Sequence, residues 1–295
     1  LDAAIATTAS RIITVLPSQH EQIQDWLDGR DFCIQDKPLG TGHAVLATLP
    51  MLVDFDGVAL IMFADTPLVT ADTLNHLASS IDSTTSVAVL GFETAEPHGY
   101  GRLITDNGGQ LTRIVEDRDA NESEKRITLA NGGIMAVRCP LLFDLIKQVQ
   151  PNSKSREIYL TDIIALAHQN GHRVTFQLAD ETETSGVNDH ADLAHLEAIL
   201  QRRLRYAAMQ QGTTLIAPDT VFLSADTILG RDVIIEPHVV IGPETNIGEG
   251  SVIKSFSHIE GTTLGSSCVI GPYARLRHGT EAGNGVKIGN FVETK

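Results

Sequence analysis

The sequence has few cysteines and few positive charges, and it contains no long apolar run. Its 295 residues include three cysteines, Cys33, Cys139 and Cys268, which lie far apart and form no CxxC pair. This spacing argues against a disulfide framework and a thiolate zinc site, and it favours reduced thiols in the cytoplasm. Lysine and arginine total 22 against 37 acidic residues, a net charge of −15. Such an acidic chain is not expected to bind nucleic acid or an anionic membrane surface.

Membrane and export signals are also missing. No apolar stretch approaches the ~20 residues that a membrane span needs, and the N-terminus lacks a basic region followed by an apolar core. We therefore expect a cytoplasmic protein with no membrane span and no nucleic-acid partner. The length allows two domains, and the character of the sequence changes near Ala217.

The first part of the chain alternates strand and helix patterns, which predicts parallel strands with crossover helices in a Rossmann-like α/β domain. Its most informative strand is the apolar run 59–64, which reads as a strand buried on both faces of a parallel sheet and ends at Asp65. Ligands sit at the carboxyl ends of such strands, where the Asp65 carboxylate could hold Mg²⁺. The alternative is that Asp65 caps the helix beginning near Ala71.

A glycine pair marks a second candidate site. Gly40 and Gly42 flank Thr41 and precede an apolar helix. Glycines let backbone N–H groups approach a flat ring or a phosphate, and an ordinary turn is the alternative reading. The charged loop 117–125 reads as solvated surface.

Seven short motifs follow one another in a distinctive order: PLGTGHA, FADTPL, GYGR, IVED, NGG, EIYLTDII and GVN. In that order they resemble the bacterial bifunctional family that joins N-acetylglucosamine-1-phosphate uridyltransferase to glucosamine-1-phosphate acetyltransferase. The resemblance covers essentially the whole chain. It implies transfer of UMP from UTP to N-acetylglucosamine-1-phosphate, giving UDP-N-acetylglucosamine and pyrophosphate for cell-wall and lipopolysaccharide precursors, with Mg²⁺ as cofactor.

The same resemblance assigns roles to individual residues. The expected metal and catalytic residues are Asp65 and Asn188. The expected nucleotide-binding residues are Gln35, Gly40, Thr41, Phe63, Ala64 and Asp65, where Ala64 replaces a common glycine. The expected sugar-phosphate-binding residues are Gly101, Glu116, Asn131, Tyr159 and Thr161.

From about residue 217 an internal repeat appears. Aliphatic residues recur every six positions from Leu229 to Ile259, and after a one-residue slip at Leu264 the period resumes at Ile270. A small or β-branched residue lies four positions after each aliphatic one. A strict period of six predicts a parallel β-helix, since each face of a triangular coil takes one aliphatic side chain into the interior. Such repeats occur in acyltransferases and also in purely structural trimerisation domains.

The resemblance identifies this repeat as a partial left-handed β-helix, where Arg277 and Lys295 would bind glucosamine-1-phosphate and acetyl-CoA would be the second substrate. We expect residues 1–188 to form the uridyltransferase domain, 189–211 a linker helix with Arg202, Arg203 and Arg205 on its wet face, and 212–295 the start of the acetyltransferase domain. A homotrimer is expected by analogy.

The sequence departs from the family pattern at its front. The family's glycine-rich basic loop of the type LAAGxGTRM is not in these 295 residues, and neither are the acetyl-CoA-binding coils. We therefore expect a chain truncated at both ends and a poor catalyst. The alternatives are another sugar-1-phosphate nucleotidyltransferase and a non-catalytic sugar-nucleotide-binding scaffold subunit.

Overall fold

The computed structural model describes residues 1–27, 29–153 and 155–294. Backbone contacts divide the chain into two compact units, Leu1–Asn188 and Asp189–Lys295. The helices of the first unit are α1 (Asp2–Ile5), α2 (Glu21–Gln24), α3 (Thr41–Ala47), α4 (Leu49–Leu52), α5 (Ala71–Ser79), α6 (Cys139–Ile146), α7 (Asp162–Gln169) and α8 (Glu181–Thr184). Its strands are β1 (Ile13–Pro17), β2 (Asp31–Gln35), β3 (Val58–Ile61), β4 (Thr85–Glu93), β5 (Arg102–Thr105), β6 (Leu111–Val115), β7 (Leu129–Arg138) and β8 (Arg173–Leu178).

The first unit is an α/β domain, but its main sheet is mixed. β1 and β2 pair in parallel in a small sheet of their own, and the larger sheet has the order β6-β5-β7-β4-β8, with β3 also paired to β7. Among the described strands of this sheet, β4 and β8 form the only hydrogen-bonded parallel pair, while β7 is antiparallel to β3, β4 and β5. The prediction that the run beginning at Ala59 lies inside a parallel sheet is therefore wrong, and its strand residues are only half-buried.

The physical reason lies in a strand that comes from later in the chain. The helix α5 between β3 and β4 makes these two strands point the same way, as the alternating pattern predicts. The hairpin β5–β6 then returns the chain without a crossover helix, and β7 inserts between β3 and β4 in the opposite direction. A pattern read along the chain does not register such an insertion.

The core of this unit lies on both faces of β4 and β7. These strands carry apolar side chains that are fully buried, such as Val89 and Val137. On one face they pack against α6 and α7 through residues such as Leu142 and Ile163, and on the other against α5 through Leu74 and Leu77. Burial of each such side chain stabilises the fold by roughly 1.5–3 kcal/mol.

One edge of β7 is shared by two partners. Ile61 at the end of β3 lies opposite Met135, and Arg102 at the start of β5 lies opposite Ala130. Between these two pairings the backbone at 132–134 has no strand partner on that edge in the described part of the chain. The sheet therefore parts at this point, next to the carboxyl end of β3.

The second unit begins with α9 (His190–Gln210), whose first turn is capped by the Asp189 carboxylate accepting from the N–H groups of Ala191 and Asp192. Gln201 exchanges two hydrogen bonds with the backbone of Leu223, at 2.7 and 3.0 Å. We expected Arg205 on the solvent-exposed face of this helix. It is instead buried and donates to the carbonyl of Val221. The helix thus packs on the rest of its own unit.

The remaining strands form a parallel β-helix. They are β9 (Thr214–Leu215), β10 (Phe222–Leu223), β11 (Ile228–Leu229), β12 (Ile234–Ile235), β13 (Val240–Ile241), β14 (Asn246–Ile247), β15 (Val252–Ile253), β16 (His258–Ile259), β17 (Thr262–Leu264), β18 (Val269–Ile270), β19 (Arg275–Leu276), β20 (Thr280–Ala282) and β21 (Lys287–Ile288). They stack into three parallel sheets, β9-β12-β15-β18-β21, β10-β13-β16-β19 and β11-β14-β17-β20.

The register of these sheets confirms the six-residue period. Ile235 lies opposite Ile253, and Ile253 lies opposite Ile270, all three fully buried in the coil interior. The predicted slip is absorbed between β14 and β17, because Ile247 pairs with Leu264. The small residues of the repeat are buried beside the corners, and the Ser251 hydroxyl donates to the Gly265 carbonyl at 3.1 Å.

Among the described residues, the structure contains no helix that is both long enough and apolar enough to cross a membrane.

Candidate functional site

A cavity of about 250 Å³ opens where the large sheet parts. It is lined by Thr41, Phe63, Glu116, Arg118, Asn131, Gly133, Met135, Tyr159, Leu160 and Thr161. Six of these were singled out from the sequence: Thr41, Phe63, Glu116, Asn131, Tyr159 and Thr161. Stretches that are more than a hundred residues apart in the chain thus meet around one space.

The floor of the cavity is formed by β7 at Asn131, Gly133 and Met135. The side-chain oxygen of Asn131 accepts from the Gly133 N–H at 3.1 Å, which fixes the amide and leaves its NH₂ group as the remaining donor. Gly133 has a φ of +76°, and a Cβ there would lie 3.0 Å from the Phe63 ring. Glycine is therefore needed both for the backbone conformation and for the close approach of Phe63.

One wall is the segment from Leu39 to Gly42, which leads into the first turn of α3 and is termed the Thr41 loop. The Ile158 N–H donates to the Leu39 carbonyl and the Gly42 N–H donates to the Ile158 carbonyl, both at 2.8 Å. The Leu160 N–H donates to the Thr41 hydroxyl oxygen at 3.0 Å, so the hydroxyl proton of Thr41 remains available to the cavity. These three bonds attach the loop to the segment that precedes α7.

The two glycines of this loop have a structural task. A Cβ on Gly40, which has a φ of +99°, would lie 2.6 Å from the Ile158 carbonyl oxygen, and one on Gly42 would lie 2.7 Å from the Ile158 side chain. Both glycines thus let the loop approach Ile158. The Gln35 amide nitrogen donates to the Gly40 carbonyl at 3.0 Å and lies 3.1 Å from Nδ1 of His43, which ties the end of β2 to the same loop.

The opposite wall is acidic. The Thr161 hydroxyl donates to the Glu116 carboxylate at 2.9 Å. Burial, with the charges of Glu116 and Asp119, raises the pKa of the neighbouring Asp162 carboxyl above its ordinary value. An ionised Glu116 accepts hydrogen bonds and cannot donate them, so this wall is suited to ligand hydroxyl and amide groups.

Arg118 is a cavity residue that the sequence analysis missed, because the loop 117–125 was read as solvated surface. Its guanidinium lies 5.0 Å from the centre of the Tyr159 ring, donates to the Tyr159 hydroxyl and lies 3.6 Å from the Glu157 carboxylate. Ser155 also bonds the Tyr159 hydroxyl, at 2.8 Å. One feature of the sequence could have identified it. An arginine directly follows the IVED motif, in a chain that has few positive charges.

Gly101 lies behind the cavity wall. Its carbonyl accepts from the Asn131 N–H at 2.8 Å, and an added Cβ would lie 3.0 Å from Ile114. The next residue, Arg102, is buried and pairs with Asp117 at 2.9 Å. Burial acts to raise the pKa of the Asp117 carboxyl, but the Gly99 N–H, Arg102 and His98 outweigh it and hold the pKa below its ordinary value.

Ala64 and Asp65 directly follow Phe63 and lie in the exposed turn after β3. The Val187 N–H donates to the backbone carbonyl of Asp65 at 2.8 Å, so the exposed Asn188 follows a residue bonded directly to Asp65. The chain therefore brings residues 65 and 188 close together despite their separation in sequence. Within the described residues no group of three or more His, Cys, Asp or Glu side chains is placed to hold a metal ion.

The remaining two residues predicted from the sequence, Arg277 and Lys295, belong to the second unit. Arg277 is exposed on the β-helix and pairs with the Glu293 carboxylate, which also lies 3.9 Å from Arg275. Lys295 lies outside the described residues.

Comparisons with known proteins identify relatives for both units. The family model "Bacterial transferase hexapeptide (six repeats)" matches residues 226–261. Proteins named "Bifunctional protein GlmU" match over most of the chain. The one from Azorhizobium caulinodans is 47% identical over 262 residues, which are 89% of this chain and 58% of that protein. The one from Zymomonas mobilis is 41% identical over 301 residues, 100% of this chain and 67% of that protein.

A third relative of the same name, from Sphingopyxis alaskensis, is 42% identical over 286 residues, covering 96% of this chain and 63% of that protein. The chain thus spans between 58% and 67% of the length of these three relatives. A solved structure of UDP-glucose pyrophosphorylase complexed with UDP-glucose matches 60% of this chain and 75% of its own, with 17% identity and a TM-score of 0.46.

Proposed function

Since the chain belongs to the family of proteins named bifunctional protein GlmU, we propose that its first unit transfers UMP from UTP to N-acetylglucosamine-1-phosphate. The products are UDP-N-acetylglucosamine and pyrophosphate. The observation that carries this proposal is the cavity at the parted sheet, where Glu116, Asn131 and Thr161 converge with Thr41 and Phe63.

The cavity chemistry suits an N-acetylated sugar. Glu116 accepts from sugar hydroxyl groups, and the free NH₂ group of Asn131 donates to the N-acetyl carbonyl or to a ring hydroxyl. Met135 and Leu160 supply apolar surface beside these polar groups, a combination that is typical of small-molecule sites. Tyr159, fixed by Arg118 and Ser155, bounds the sugar on one side.

The nucleotide is assigned to the loop beside this cavity and to the turn after β3. The loop from Gly40 to Thr41, with Gln35 behind it, receives the uracil and ribose. The turn from Phe63 to Asp65 lies against the phosphates. The attachment of the loop to the segment around Ile158 supports this assignment, because three hydrogen bonds hold the loop backbone beside the cavity.

The reaction is a displacement at phosphorus. An oxygen of the sugar phosphate forms a bond to the α-phosphorus of UTP, and the bond from that phosphorus to the bridging oxygen of pyrophosphate breaks. Little covalent help is required, so this chain contributes mainly by aligning the two anions and excluding water. The sugar-binding residues Glu116 and Asn131 fix the attacking phosphate relative to the nucleotide loop.

The residues at the turn fit a magnesium ion in the chemistry of their donors. Asp65 offers a carboxylate and Asn188 an amide oxygen, the hard oxygen ligands that Mg²⁺ prefers when it also keeps waters and binds phosphate. The Val187–Asp65 backbone bond supports the pairing. A bound Mg²⁺ would neutralise phosphate charge in a chain whose own net charge is −15.

For the second unit we propose a part in acetylating glucosamine-1-phosphate from acetyl-CoA, with Arg277 and Lys295 as phosphate-binding residues and a homotrimer as the assembly. The hexapeptide match supports the fold of this unit and leaves either an acyltransferase or a trimerisation role. The free thiols Cys33, Cys139 and Cys268 fit the reducing cytoplasm, where we place the protein.

Calorimetric titration with UDP-N-acetylglucosamine in the presence of Mg²⁺ tests the sugar site. We expect saturable binding that Glu116→Gln weakens about 10- to 100-fold, the loss that follows from removing a charged hydrogen-bond partner. The change should not unfold the protein, since it removes a charge that opposes ionisation of Asp162. Glu122→Gln is the matched control, an exposed carboxylate paired with Lys125.

Two results would count against the proposal: no saturable binding, or equal losses in the two variants. Pyrophosphate release with UTP, dTTP and ATP, measured on the chain joined to an N-terminal loop of the type LAAGxGTRM, then separates the alternatives. Preference for UTP supports the assigned reaction, preference for another nucleotide points to a different sugar nucleotidyltransferase, and binding without turnover points to a scaffold subunit.

A further inference from the structure

A second, larger cavity lies away from the parted sheet. Its volume is about 520 Å³, within the range of small-molecule sites. It is bounded by the turn of the β5–β6 hairpin at 108–110, by His168 in the last turn of α7, and by residues 171–175, which lead into β8. None of its lining residues also lines the first cavity, and the proposed uridylyl transfer uses none of them.

The ionisable side chains that line this cavity are an arginine and two histidines. His168, His172 and Arg173 line it, and no carboxylate does. This composition is unusual for a chain in which acidic residues outnumber basic ones by 37 to 22. The carboxylate of the hairpin, Asp106, is engaged by its own turn, where it accepts from the N–H groups of Gly108 and Gln110 at 2.8 and 3.0 Å.

The side chains of His172 and Arg173 have no ion-pair partner among the residues that the structure describes. The buried Nδ1 of His168 has no hydrogen-bond partner among the described residues. A buried polar atom without a partner destabilises the fold until something satisfies it. His168 lies in the last turn of α7 and lines the cavity together with His172 and Arg173.

We propose that this cavity binds the oxyanion group, phosphate or carboxylate, of a small molecule, with Arg173 as the main contact and His168 and His172 as further donors. The planar guanidinium of an arginine gives two parallel hydrogen bonds to either group. The volume of about 520 Å³ leaves room for a further part of the molecule beside the oxyanion.

The test titrates the full chain with inorganic phosphate and, separately, with citrate, and follows the imidazole signals of His168 and His172 by NMR in ¹⁵N-histidine-labelled protein. Arg173→Gln removes the principal contact. Arg126→Gln is the matched control, because Arg126 is an exposed arginine of the same unit that does not line the cavity. A repeat in saturating UDP-N-acetylglucosamine blocks the first cavity.

We expect saturable shifts of both imidazole signals, weakened about 10-fold or more by Arg173→Gln, unchanged by Arg126→Gln and unchanged by the nucleotide sugar. Tighter binding of phosphate assigns the site to phosphorylated ligands, and tighter binding of citrate assigns it to carboxylates. Non-saturable shifts with both anions, or equal weakening by both substitutions, would overturn the proposal. Because the readout is local to this cavity, a failure here leaves the uridylyl-transfer proposal standing, and the reverse also holds.

Discussion

Replacing Gly40 by alanine should detach the loop that carries Thr41 from the cavity. A Cβ at this position would lie 2.6 Å from the carbonyl oxygen of Ile158, on a backbone with a φ of +99°. The backbone conformation alone costs roughly 1–3 kcal/mol for a residue other than glycine, and forcing an extra carbon into a packed contact costs about 1–3 kcal/mol more.

The protein has a second way to accommodate the new methyl group. If the loop moves away, it gives up the three hydrogen bonds that join Leu39, Thr41 and Gly42 to the segment around Ile158, at roughly 1 kcal/mol each. Detachment therefore costs about as much as the strain, or less. We expect the variant to release the loop and lose about 3 kcal/mol of stability.

Hydrogen exchange and ligand binding together check this reasoning. In Gly40→Ala the amides of Gly42, Ile158 and Leu160 should exchange faster, and UDP-N-acetylglucosamine should bind at least about 10-fold more weakly, since roughly 1.4 kcal/mol corresponds to tenfold. Gly99→Ala is the control, because Gly99 has a similar φ of +86° and no atom within 4 Å of its added Cβ. If the two variants exchange and bind alike, backbone strain alone accounts for the effect and the loop argument fails.

Two further predictions concern stability. Ile253→Ala, which empties a fully buried position of the coil interior, should lower the free energy of unfolding by about 2–5 kcal/mol in urea titrations, while Ile234→Ala on the exposed side of the neighbouring coil should cost clearly less; equal losses would contradict the stacked-interior model. Hydrogen bonds from the N–H of Thr85 and from the hydroxyl and N–H of Thr84 lower the pKa of Asp82 from 3.8 to about 2, so its contribution to stability is present above pH 3.8 and is lost as the pH falls through about 2. Acid titration of wild type and Asp82→Asn should therefore diverge above that window and converge below it; parallel curves would refute the assignment.

The second unit was predictable from sequence in its fold and its register. Each face of the coil takes one aliphatic side chain per six residues, so the period identifies the interior residues, and the slip at Leu264 shows where one coil is shorter. Every strand pairs with the equivalent strand of the next coil. The six-residue pattern along the chain therefore also predicts which residues of successive coils lie opposite each other. This is why Ile235, Ile253 and Ile270 stack as expected.

The first unit was predictable only in part, because its sheet is assembled out of chain order. Nothing in the run around Ala59 indicates that its partner strand lies more than seventy residues later and runs antiparallel. Arg118 was missed for a similar reason, since the ring beneath it belongs to Tyr159. Arg205 was misread because helical spacing alone does not reveal that the Val221 carbonyl faces it. The roles assigned to individual site residues stay predictions.

The separation of β3 from β5 along one edge of β7 explains why the motif residues lie around one cavity although they are far apart in the sequence. Because β7 pairs with β3 near Met135 and with β5 at Ala130, the end of β3 and the start of β5 must both face the stretch that begins at Asn131. Backbone pairing thereby fixes the residues after β3 and those before β5 relative to Asn131. Substitution of a cavity side chain such as Glu116 should therefore affect ligand binding much more than the sheet, whereas a change in the pairing of β7 should affect both at once.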